Sequence, residues 1–337
     1  MSLYVEKRLL LPLSDFASMI LVHAIINRTW DVARFYSDSL SLWTPTASSS
    51  DQVLPRTEQH PKYLATIPQF SHWRNSACDC LDVLHWEALG ISAKAGGVEG
   101  PTFLTLHLAR AVLLSPVKEL EGLIQAITPT TQPLALLLPH ERFPLRQSLE
   151  DYQAIVRTWA RSDRFKARLA VLHSAATFWH VRHYGSVSFV QPFAIFLATI
   201  VLWAHGIYGS QNPQTRIAQP DSMPQDMGDE VDAIEGTQEV NELDSSPSSA
   251  SSRPTTPSGL RVPEFMHIDR PFDDEIAQHF IRSGELMKVF LEGVGDLHSA
   301  TGPKLVLREG ALILRTRSTW TIAEHYAARL EALASTC

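Results

Sequence analysis

Fourteen histidines and three cysteines are the residues of this 337-residue chain that offer metal-binding or acid–base chemistry. His173, His180 and His183 stand at steps of seven and three in a helical stretch, so one face offers three imidazoles. A metal site also needs an acceptor holding each imidazole's second nitrogen, and no carboxylate lies close by in sequence. The trio therefore reads as half-buried packing histidines. His140-Glu141 opens like the H-E-x-x-H helix of metalloproteases, but Pro144 stands where the second histidine belongs and breaks such a helix. Cys78 and Cys80 form a C-x-C pair. Two residues apart on a helix, they point to different sides, so small packing side chains are expected and no shared metal. With no G-x-S-x-G elbow and no P-loop, no enzyme is expected.

Two further sets of side chains invite a binding role. Arg157, Arg161, Arg164 and Arg168 recur at steps of four and three, the spacing of one helix face, and offer an anion-facing row. Trp179, His180 and Trp203 fall in apolar helical stretches and are candidates to line a pocket for a small metabolite.

The elements that position these residues are helical. The most regular part is 148–184, read as one helix that starts at Ser148 with Glu150 and Asp151 and is ended by Gly185. Phe165, Leu169, Leu172, Ala176 and Trp179 then suggest a core-facing stripe. Pro101 and Pro192 suit the first turns of two more helices. The mainly apolar run Phe193–Ala204 is 12 residues long, whereas a spanning helix takes about 20, so a central core helix is predicted and no membrane partner. Near the start, Pro12 and Asp15 interrupt the apolar run after Lys7 and Arg8, which argues against a leader. At the other end, Ile276, Phe280, Met287, Leu291 and Val294 suggest one helix closed by Gly293 and Gly295. Two more are expected around 305–314 and 320–333, and no period-2 strand is evident. The predicted fold class is all-α.

Composition divides the chain. Residues 1–209 and 263–337 read as two parts of one helical domain, and 210–262 as a disordered acidic Ser/Pro-rich linker. That segment carries −6 of the chain's −7. It also holds Ser246-Pro247 and Thr256-Pro257, which fit proline-directed phosphorylation. An electrostatic latch between this linker and the arginine row, tightened by phosphate at Ser246 or Thr256, is one regulatory expectation. The pI of about 6.0 does not suggest direct nucleic-acid binding. Three cysteines cannot build a six-cysteine zinc cluster, and C-x-C does not fit a two-cysteine, two-histidine finger.

The segments WRNSACDCLDVLHWEA (73–88), GPTFLTLHLARAVLLSP (100–116), RLAVLHSAATFWHVRHY (168–184) and PFAIFLATIVLWAHG (192–206) resemble the fungal-specific transcription factor regulatory domain. This is the middle homology region of zinc-finger regulators of filamentous fungi. Residues 268–297, 307–314 and 319–333 fit the same resemblance. It implies an all-α domain, a nuclear location and a role in RNA polymerase II transcription, with no catalytic residues. It also implies that DNA is reached through a zinc-finger module missing from this chain or supplied by a partner. Zinc is expected only there, with no cofactor in the chain itself. Homo- or heterodimers and the transcription machinery are the implied partners. A fingerless modulator of related factors and a metabolite-sensing domain are the alternatives.

Overall fold

Local signals place several helices. Ser148 accepts from the Asp151 amide at 3.2 Å, and the Asp151 carboxylate accepts from the Ser148 amide at 2.9 Å, a reciprocal cap on α6 (Leu149–Ser162). Proline opens α3 (Pro68–Lys94), α4 (Pro101–Leu114) and α8 (Gln191–Tyr208), where its missing amide costs no hydrogen bond. The computed structural model describes residues 2–37, 63–129, 148–184, 188–209, 265–270, 274–284 and 287–337. The remaining helices are α1 (Ser2–Val5), α2 (Asp15–Ser37), α5 (Val117–Ile127), α7 (Arg164–Tyr184), α9 (Asp274–Ser283), α10 (Gly302–Arg317) and α11 (Thr321–Thr336). Residues 265–337 cluster with the first 209 as one unit.

Two helices lacking a polar face form its centre. α4 is buried along Thr102–Leu114, and α8 along Gln191–Gly206 except Phe193. α4 packs against α2, α3, α7 and α8, while α8 also meets α6, α7, α10 and α11. By length and composition α8 is apolar enough to cross a membrane, yet 83% of it is enclosed by its neighbours, as expected for a core helix. Small residues bring its partner close. A methyl group built on Gly310 of α10 would collide with the Thr199 side chain of α8.

The fold is mostly helical, and three expectations need correction. First, the 148–184 stretch is two helices, because the chain breaks at Asp163. Second, the buried face of α7 is not the predicted stripe. Of the stripe only Leu172 is buried; Phe165 is exposed and Leu169, Ala176 and Trp179 are half-buried, whereas Ala167, Ala170, Val171, Ser174, Phe178 and Val181 are enclosed. α7 lies between α4 and α8, and the small residues permit that approach.

Third, a small sheet is present. β1 (Phe265–His267) pairs in parallel with β2 (Lys288–Leu291), which pairs antiparallel with β3 (Gly295–Asp296). α9 therefore ends at Ser283, and Met287, Leu291 and Val294 are buried from strand and turn positions. Gly293 and Gly295 serve the β2–β3 turn at φ of +77° and +82°, a region that favours glycine, rather than closing a helix. Strands of two to four residues are too short to show a period in sequence.

Candidate functional site

An apolar concavity lies where the α4–α5 junction bends around α2 and α3. Ser115 adopts an extended conformation and Pro116 starts α5, so Val112–Glu119 forms one wall. The second half of α2 and a 3₁₀ turn at Leu64–Thr66 supply the others. The cavity measures about 100 Å³. Trp30, Leu64, Phe70, Val112, Leu113 and Val117 make it largely apolar, with Arg34, Arg74, Lys118 and Glu119 as its charged members.

Arg74 is the unusual residue here, a guanidinium only 3% exposed. Its Nη1 donates to Asp163 Oδ2 at 2.6 Å and lies 3.5 Å from the Tyr63 hydroxyl, which itself donates to Asp163 at 2.8 Å. Burial works against the arginine's charge, and the Asp163 carboxylate more than offsets it. Burial also pushes the Tyr63 phenol well above its ordinary value, and Asp163 adds to that shift. Arg74 Nε is enclosed without a hydrogen-bond partner. Asp163 is the residue between α6 and α7, so this pair ties the pocket to the joint of two core helices.

A second polar cluster runs through the core. Arg110 Nη2 donates to Asp82, and Nη1 lies 3.2 Å from His173 Nε2. His173 Nδ1 lies 3.1 Å from His107 Nδ1. Because a guanidinium only donates, His173 Nε2 must accept. His173 then carries its proton on Nδ1 and donates to His107, whose proton sits on Nε2. His85 meets the His107 ring edge-on with centroids 5.8 Å apart. Burial lowers both His107 and His173 well below the ordinary range, and Arg110 reinforces this; His85 falls to about 4 for the same first reason. All three imidazoles are therefore neutral at pH 7. The outer end of the chain reaches a shallow polar hollow shared by Asp82, Arg110, Cys78 and Lys166.

The predicted residues separate. His173 joins the cluster just described, His180 bonds Glu99 through Nδ1 at 3.0 Å, and exposed His183 stacks on Trp179. Glu99 is the carboxylate missing from the local sequence, 81 positions from His180. Trp203 is 1% exposed and belongs to the core. Neither it nor Trp179 nor His180 is among the residues lining the pocket by Arg74.

The arginine row does not share one surface. Arg157 and Arg161 lie on α6, Arg164 and Arg168 on α7. Arg168 is buried and donates to the Ile281 carbonyl at the end of α9, while Arg161 donates to the Tyr208 carbonyl. Arg168 is therefore turned into the interior rather than toward an outer anion-facing row. Ser246, Thr256 and the 210–262 segment lie outside the described residues, as does His140-Glu141. Cys78 and Cys80 point apart: Cys80 lies by Lys7 and the Leu3 carbonyl, and Cys78 lines the polar hollow. Among the described residues, no group of three or more His, Cys, Asp or Glu is placed to hold a metal ion.

Sequence reasoning missed Tyr63, Arg74, Asp163, His107 and Arg110. For His107 and Arg110 the only signal was an imidazole and a guanidinium in the otherwise apolar α4, and Tyr63, Arg74 and Asp163 carried none, because their pairing spans 89 positions or more. The chain matches no protein-family model, no curated protein and no solved structure.

Proposed function

We propose that the chain is the helical regulatory domain of a fungal transcription regulator. It acts in the nucleus on RNA polymerase II genes, with DNA contact supplied by a zinc-finger module outside this sequence or by a partner. One observation carries this reading. The four segments that carry the resemblance lie on α3, α4, α7 and α8, and these helices pack on one another through α4. The resemblance thus rests on a contiguous core rather than on scattered surface matches.

The test is a tethering assay in a fungal host. The chain is fused to an unrelated DNA-binding module, and a reporter carrying that module's site is measured with the module alone as control. The expected outcome is a reporter change of threefold or more, in either direction, from a nuclear fusion protein. An unchanged reporter from a stable, nuclear fusion overturns the proposal.

A second reading, a metabolite-sensing module, is favoured by the pocket at Arg74. Its walls are apolar and its one deeply buried charge is already neutralised, the lining expected of a small-molecule site.

A further inference from the structure

We propose that the pocket bounded by α2, α3 and the α4–α5 junction binds a small, neutral, mainly apolar carbonyl compound whose oxygen is received by Arg74. This inference rests on the metabolite-sensing reading and names its ligand class. It is independent of whether the chain acts in transcription.

The size of the ligand follows from the cavity. About 100 Å³ is somewhat less than the roughly 150 Å³ of an apolar cavity that accommodates one benzene. A short branched chain fits inside, and a six-membered ring fills the cavity and extends into its open mouth. Trp30, Phe70 and Val112 supply the apolar walls. The polar recognition comes from the guanidinium. Nη1 is committed to Asp163 and Tyr63, and Nε is enclosed, so Nη2 is the nitrogen left to meet a ligand oxygen.

The charge of the ligand follows from the same geometry. Asp163, 2.6 Å from Arg74, already balances the buried cation, while the other charged lining residues stand further out, Arg34 and Lys118 exposed and Glu119 half-buried. A ligand carboxylate entering here would lose its hydration beside a buried cation whose charge is already paired. A neutral acceptor gains a charge-assisted hydrogen bond without that loss. Because Asp163 separates α6 from α7, an occupied pocket acts on the pair that fixes this joint.

The experiment is a saturation-transfer NMR titration of the full chain with cyclohexanone, benzene and cyclohexanecarboxylate at pH 7.5. Cyclohexanone is expected to bind with a Kd on the order of 1 mM, about tenfold tighter than either control. Ala33→Phe, at a half-buried lining position, should abolish the signal. Arg74→Lys, which keeps a cation for Asp163, should weaken cyclohexanone about tenfold and leave benzene unchanged. Circular dichroism checks that both variants fold. If Arg74→Lys does not fold, the ketone-to-hydrocarbon ratio of the unaltered chain still decides the role of the polar contact. Equal binding of ketone and hydrocarbon, or tighter binding of the carboxylate, overturns the ligand class while keeping a sensing pocket. No binding by any probe at 10 mM, or binding indifferent to Ala33→Phe, overturns the pocket reading itself.

Discussion

Mild acid should unfold this protein, and the histidines in its core set the size of the effect. Burial lowers His107, His173 and His205 well below the ordinary imidazole value of 6.5, and His85 to about 4. In the unfolded chain all four return to about 6.5. The unfolded state therefore binds more protons than the folded state once the pH drops toward 6.5, so stability falls from there downward. A histidine kept neutral by folding costs about 1 kcal/mol at pH 6 and about 2 kcal/mol at pH 5. Four of them together remove about 8 kcal/mol by pH 5, against the 5–15 kcal/mol that stabilises a typical domain.

The geometry explains why these groups resist protonation. His173 accepts from Arg110 and donates to His107, so a proton added to His173 Nε2 would face the guanidinium and break the bond between them. His205 is likewise 3.2 Å from His298, itself lowered mainly by burial. The assay is urea unfolding followed by far-ultraviolet circular dichroism at half-unit steps from pH 8 to 5. Near pH 5.5 the free energy of unfolding should fall by about 5 kcal/mol per pH unit, the uptake of between three and four protons. His107→Gln should reduce that slope by about one proton. Stability that changes by less than about one proton's worth between pH 7.5 and 5.5 would refute the neutral-core assignment.

Three other perturbations probe the packing. Gly310→Ala should destabilise by about 2 kcal/mol or more despite alanine's better helix propensity, because the methyl meets Thr199, and Thr199→Ala should recover part of the loss in chemical denaturation. Arg182 bridges the fully enclosed Asp269 and Glu309 at 2.7 and 2.8 Å. Arg182→Met should cost about 3–5 kcal/mol, with partial recovery on adding Asp269→Asn, read from urea midpoints. Trp159 donates to the Leu114 carbonyl, left without a helical donor where α4 ends, so Trp159→Phe should lower stability by about 1–3 kcal/mol and reduce Tm.

Much of the helical framework was legible in the sequence because its signals are local. The reciprocal cap at Ser148 and Asp151, the prolines opening α4 and α8, and the continuous apolar character of α8 each act within a few residues. The end of α9 was not legible. Met287, Leu291 and Val294 keep a helical spacing, yet pairing of β2 with β1 and β3 won over that period.

The candidate sites divide along the same line. Sequence alone determined that the chain is mostly helical, that α8 is a core helix, and that Cys78 and Cys80 cannot face one partner from a single helix. The tertiary structure alone decided which side chains meet. Arg74 finds Asp163 across 89 positions, and His107 finds His173 across 66, because α3, α4 and α7 pack together. It also separated residues that spacing had grouped: the break at Asp163 split the arginine row, and the approach of α9 placed its carbonyl on buried Arg168. Backbone capping and helix periodicity depend on near neighbours and are written in the chain. Burial and charge pairing depend on what packs from elsewhere, and only the folded arrangement supplies it.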